Sequence, residues 1–152
     1  MIKILPKKIN DRDIYIIGYK SQKEIINFII SDKLIKPVSL GIIENNFINN
    51  INDYSDFLKT LLSNQVNNIA IYGTHSKLIE DRIDNLIVEE NLESSNKTIM
   101  TTSWDNLDEF LEYTILSVSF NKSGDYESCV ILIFPGEIKM TQIQQKINLL
   151  FR

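Results

Sequence analysis

The sequence predicts an α/β protein, a three-layer α/β/α sandwich built on a mostly parallel five-stranded sheet of Rossmann-like or flavodoxin-like type. Three observations predict it. Short β-branched runs alternate with segments of helical apolar spacing, in the order β-α-β-α-β-α-β-α-β-α. Several of those runs are apolar at every position, as in strands buried on both faces of a parallel sheet. The runs stop at Gly18, at Gly73 and at Pro135-Gly136, where the chain must turn into the next helix. Right-handed crossovers between such strands place helices on both faces.

Each element follows from local chemistry. Asp13–Tyr19 carries Ile14, Tyr15, Ile16 and Ile17 and reads as a buried strand. Ser21-Gln22-Lys23-Glu24 matches a capping box, and Ile25, Ile26, Ile29 and Ile30 form the apolar face of the helix it opens. Pro37–Ile43 is the second strand, with its proline tolerated at the first position. Glu44–Asn52 is Asn-rich and reads as an ordered loop. Tyr54, Phe57, Leu58, Leu61 and Leu62 restore helical spacing. Asn67-Asn68 is expected to turn the chain into a strand at Ile69–Tyr72.

Ile79, Ile83, Leu86 and Ile87 mark a helix from about Ser76 to Leu92, followed by a polar loop at Glu93–Asn96. Thr98–Thr102 reads as the fourth strand. Leu107, Phe110, Leu111, Thr114, Ile115 and Val118 give the next helix its buried face, and Asn121–Asp125 reads as a turn. Cys129–Phe134 is the last strand. Thr141-Gln142-Ile143-Gln144 offers a second capping box, ahead of the apolar stripe Ile143, Ile147 and Leu150.

Composition bounds the function. The 152 residues suit one domain, 1–152, with 43% hydrophobic and 24% charged residues, which excludes a disordered chain. Cys129 is the single cysteine and His75 the single histidine. An intrachain disulfide is therefore impossible, a thiolate zinc site is disfavoured, and a histidine-based triad has one choice of base. The apolar run at the N-terminus is too short for a signal-peptide core, and no apolar stretch approaches the length of a membrane helix. The expectation is a cytoplasmic protein without a membrane segment, metal or cofactor.

The net charge of −4 is unevenly spread. Residues 1–76 hold nine basic and seven acidic side chains, whereas residues 77–152 hold seven and thirteen. A nucleic-acid binder shows a basic stripe, and this C-terminal half shows the opposite. Asp105, Asp108, Glu109 and Glu112 recur at helical spacing opposite the apolar face of their segment. Glu80, Asp81 and Asp84 do the same on the preceding helix. If both helices lie on one side of the sheet, they form one negative patch able to steer a basic partner. The routine alternative is a solvated face, with acidic residues favoured in a first helical turn.

Small ligands of open parallel sheets bind beyond the carboxyl ends of the strands. Those ends are Gly18-Tyr19-Lys20-Ser21, Gly73-Thr74-His75-Ser76, Thr101-Thr102-Ser103-Trp104 and Pro135-Gly136-Glu137. Gly73, Thr74, His75 and Ser76 combine a close backbone approach, two hydroxyls and free helix amides, a set that suits a phosphate or carboxylate. The plainer reading is that Thr74 or Ser76 caps the helix. His75 as a general base needs an orienting acid, and Asp81 and Asp84 lie too far along its own helix. Thr102, Ser103 and Trp104 form a second rim segment, in which Trp104 either anchors a ligand or partner or staples the next helix, with Ser103 or Asp105 as its cap. No Walker A, Gly-x-Gly-x-x-Gly or Gly-x-Ser-x-Gly motif occurs, receiver-type acidic positions are absent, and no catalytic set is complete.

The stretch from Tyr54 to Gly136 contains Phe57 and Leu58, the strand Ile69–Gly73, Asp81 and Asp84, Met100-Thr101-Thr102 with Trp104, Leu107–Phe110 and Val130–Phe134. In these residues it resembles a group of small bacterial Rossmann-like domains with a Met-Thr-Thr-Trp strand end. Ser103 departs from that pattern by separating Thr102 from Trp104. The resemblance implies the fold and carries no activity.

Two functions are therefore expected to compete. One is a non-catalytic acidic binding protein, immunity or antitoxin-like, that engages a basic protein partner through its striped carboxylates. The other is a small-ligand or enzymatic domain that uses the strand-end rim for a phosphorylated or anionic ligand.

Overall fold

The computed structural model describes residues 2–6, 8–9, 12–18, 21–34, 37–44, 54–63, 66–93, 98–116, 128–133 and 140–152. The expected loop at Glu44–Asn52 beyond its first residue, the turn at Asn121–Asp125 and the Pro135-Gly136 strand end lie outside them, as do Tyr19 and Phe134.

Eleven elements follow one another among the described residues: β1 (Ile2–Ile4), β2 (Ile14–Gly18), α1 (Gln22–Ile29), β3 (Val38–Ile43), α2 (Ser55–Ser63), β4 (Val66–Tyr72), α3 (Ser76–Glu89), β5 (Met100–Trp104), α4 (Leu107–Leu116), β6 (Cys129–Ile133) and α5 (Met140–Leu150). The strands form one sheet in the order β1-β2-β6-β3-β4-β5. The five predicted strands are mutually parallel, and the fold is the expected three-layer α/β sandwich. β1 is an addition: it pairs antiparallel with β2, Ile2 opposite Ile17. A three-residue strand holds too little periodicity to announce itself.

The strand order explains the layers. From β2 to β5 the chain advances across the sheet, and from β5 to β6 it returns to the middle. With a constant crossover hand, that reversal moves the helices to the other face. The two cores show it. Ile25, Phe28 and Ile29 of α1, Phe57, Leu58, Leu61 and Leu62 of α2, and Ile79, Ile83, Leu86 and Ile87 of α3 pack on one face, against Leu40, Ile42, Ile69, Ile71, Val130 and Leu132. Phe110, Leu111 and Ile115 of α4 and Ile143 and Ile147 of α5 pack on the other, against Ile14, Ile16, Ala70, Cys129 and Ile131. Neighbouring strand residues alternate between the two cores, as the pleat requires.

Several boundaries move. The Ser21 hydroxyl accepts the Glu24 amide at 3.2 Å, as the first capping box predicts. α5 begins at Met140, so Thr141 lies inside the helix and is not its cap. β4 begins at Val66, so Asn67-Asn68 belongs to the strand, with Asn68 buried. β5 runs to Trp104 because its register with β4 carries on to Tyr72 opposite Trp104, where the sequence suggests a stop at Thr102.

Candidate functional site

The parallel register aligns the carboxyl ends of the strands in one row: Gly18 beside Ile133, Ile133 beside Ile43, Ile43 beside Tyr72 and Tyr72 beside Trp104. Beyond that row the chain leaves β4 for α3 on one face and leaves β5 for α4 on the other. This divergence is a topological switch point, where open α/β sheets place their crevices. The two predicted rim segments, Gly73–Ser76 and Thr102–Trp104, flank it. The Ser76 hydroxyl joins them by donating to the Trp104 carbonyl at 3.3 Å.

The Gly73 turn already holds an anion, and that anion belongs to the chain. Glu44, directly after β3, is buried and accepts the His75 backbone amide through Oε1 at 2.7 Å. A Cβ built on Gly73 would fall 2.4 Å from that oxygen, and Gly73 has φ of 145°. Glycine is therefore required both by its backbone conformation and by the carboxylate lying against it. α3 takes His75 as its N-cap residue, with no side-chain cap bond. The Ser76 hydroxyl is spent on Trp104 and Thr74 is exposed, so the expectation that one of them caps the helix is corrected: the Glu44 carboxylate meets the free amide.

His75 acquires the acid that the sequence does not supply nearby. Its Nδ1 lies 3.8 Å from Glu44 Oε1. Glu44 Oε2 and His75 Nδ1 are both enclosed and have no hydrogen-bond partner among the described residues. Glu44 was absent from the sequence-based candidates. Its only local signal is a carboxylate at a strand's carboxyl end, and its partner lies 31 residues away.

Trp104 is the last residue of β5, half-buried on the α4 face. Its ring centroid lies 4.9 Å from that of Tyr113, and its Nε1 donates to Thr102 Oγ1 at 2.9 Å. The α4 cap is neither Ser103 nor Asp105. Asn106 Oδ1 accepts the Glu109 amide at 3.0 Å, and the indole packs against the second turn of the helix in place of an N-terminal staple. Trp104, Tyr113 and Leu116 floor an open groove walled by Glu109 and Glu112.

The condition for a single acidic patch, both helices on one side of the sheet, is not met. α3 and α4 lie on opposite faces of the sheet, so Glu80, Asp81 and Asp84 do not merge with the α4 row across one surface. Lys77 pairs with Glu80 at 2.9 Å and Asp81 at 3.3 Å, and both acids hold its ammonium pKa above the ordinary value. Asp84 accepts the Thr101 hydroxyl. These three residues bring carboxylate oxygens within 4.8 Å of one another, but the Lys77 ammonium already stands where a cation would balance two of them. On α4, Lys146 pairs with Asp108 at 2.9 Å. Asp105, Glu109 and Glu112 have no ion pair among the described residues.

Comparison with family models, with curated proteins and with solved structures found no match. The resemblance to small bacterial Rossmann-like domains therefore stands on the quoted residues alone. Among the described residues, no helix is long and apolar enough to cross a membrane.

Proposed function

We propose that this chain is a non-catalytic acidic binding protein of the cytoplasm that engages a basic protein partner, in the manner of an immunity or antitoxin-like protein. One observation carries the reading: Glu109 and Glu112, exposed and without an ion pair among the described residues, wall a groove floored by the half-buried rings of Trp104 and Tyr113, with Asp105 exposed at the start of the same helix. Aromatic anchors rimmed by charge are the usual composition of a protein-binding patch. The carboxylates steer a cationic partner and set its register, and the ring pair supplies the desolvated contact.

The test is capture from a lysate of the source cells by the immobilised protein and by its Asp105→Lys, Glu109→Lys, Glu112→Lys variant. The expected result is a basic protein retained by the wild type, released by salt and lost with the variant. Unchanged capture by the variant at low salt rejects the reading.

The unsatisfied Glu44 Oε2 and His75 Nδ1 support a second reading, in which the switch-point crevice takes a small ligand. Because Glu44 already occupies the His75 amide, the favoured chemistry there is a hydrogen-bond donor or cation in place of a phosphate. A thermal-shift screen of cationic and of phosphorylated metabolites separates these classes, since a ligand of the folded state raises the melting temperature. No shift from any member removes the second reading.

A further inference from the structure

Two strands bound the sheet, and they are defended differently. β1 has three residues and is followed closely by Pro6, both devices that blunt an edge against pairing. β5 has five residues, Met-Thr-Thr-Ser-Trp, with no charge and no proline. It pairs with β4 on one side, and among the described residues nothing pairs with its other edge. None of its residues is fully buried, and Met100 is 55% exposed. Thr and Trp favour extended structure, so this is a β-competent edge left open.

Carboxylates on the two faces of the sheet reach this edge, Asp84 on one and Glu109 and Glu112 on the other. Thr101 and Ser103 stand in register with Ile69 and Ile71, which face the α3 core, and Thr101 is bonded to Asp84. Thr102 and Trp104 stand in register with Ala70 and Tyr72 on the α4 side, where Glu109 and Glu112 wall the groove. Carboxylates thus bracket β5 from both faces while its own side chains are neutral.

We propose that the open edge of β5 receives an extended segment of the basic partner by strand addition, with lysine or arginine side chains of that segment lying over Trp104 between Glu109 and Glu112. The inference rests on the acidic-binding reading and names its mode. Strand addition draws affinity from main-chain hydrogen bonds and specificity from alternate side chains. Side chains of an added strand keep the period of two, so every second residue falls on the Trp104 face. A cation there gains both the negative face of the indole and the two carboxylates. A second copy of this chain fits less well, because edge-to-edge pairing of two copies sets two carboxylate rows beside one another.

The probe is a short blocked peptide of alternating lysine and valine, with a counterpart N-methylated on every backbone amide. Trp104 is the sole tryptophan, so its emission reports the site directly, and hydrogen exchange of the Met100–Trp104 amides reports pairing. The expected result is a shift in emission, slowed exchange in β5, and binding weakened by about tenfold or more in the methylated peptide and in the E109K/E112K variant, whose positions are exposed. Equal binding of the methylated peptide overturns strand addition and leaves the acidic reading standing. Absence of binding by the unmodified peptide overturns it too, with the acidic reading then judged by its own capture experiment. Equal binding to E109K/E112K overturns both. A concentration-dependent dimer that the peptide dissociates identifies a second copy as the native occupant and overturns the proposal.

Discussion

Gly41 shows how much one missing side chain positions. A Cβ built there would lie 2.8 Å from Thr114 Cγ2 and 2.9 Å from Phe110 Cζ, both on fully buried side chains of α4. The hydrogen atom lets α4 settle onto the middle of the sheet. Gly41→Ala is expected to destabilise the fold by about 1–3 kcal/mol through overpacking, read as a lower urea midpoint at unchanged slope. Cys129 makes a second prediction. Burial pushes its thiol up to about 11 from an ordinary 9.0, with Arg12 pulling weakly the other way. The folded chain keeps this proton at pH values where the unfolded chain has lost it. The associated stability is complete below about pH 9 and falls, by an amount on the order of 2 kcal/mol, as pH rises to about 11. Urea titrations at neutral and at alkaline pH should show this slope in the wild type and its loss in Cys129→Ala.

At the scale of elements, helix ends decide more than helix interiors. α4 begins at the Asn106 cap, and Asn106→Ala is expected to cost about 1 kcal/mol, measured as a lowered melting temperature with helical signal retained. In its last turn Thr114 and Ile115 are buried, and buried terminal carbonyls need donors. Arg12, fully buried, donates to the Ile115 carbonyl, while Ser39 Oγ at 3.4 Å and Cys129 Sγ at 3.6 Å approach the Thr114 carbonyl. Those donors come from three separate parts of the chain, so no local pattern announces them. The elements themselves were largely legible. Ile14–Ile17, Ile42-Ile43 and Cys129–Ile133 are apolar enough to declare buried strands, and Ser21 declares its helix. Strand ends were less so: Asn67-Asn68 has the composition of a turn, yet pairing with β3 draws Asn68 into the ladder opposite Ser39. In the same way Trp104 joins β5 because Tyr72 offers it a partner.

At the scale of the whole molecule, one reversal of direction arranges the site. Because the chain turns back after β5, α3 and α4 leave neighbouring strands for opposite faces, and the switch point falls beside the open edge of the sheet. The acidic C-terminal half is thereby divided into two rows that bracket β5. Lys77 and Lys146 neutralise part of each row, which leaves Asp105, Glu109 and Glu112 as the carboxylates whose reversal should matter most. A patch drawn from helical spacing alone would have counted all seven acids equally.

Taken by itself, the amino-acid order determined the layered architecture and the parallel direction of five strands, because apolar periodicity is local and each element declares its buried face within a few residues. Tertiary structure alone decided which strands bound the sheet among the described residues, which acids are neutralised, and that the carboxylate at position 44 meets the histidine at position 75. Those are contacts between distant parts of the chain, and their geometry is set by strand order, which no local spacing encodes.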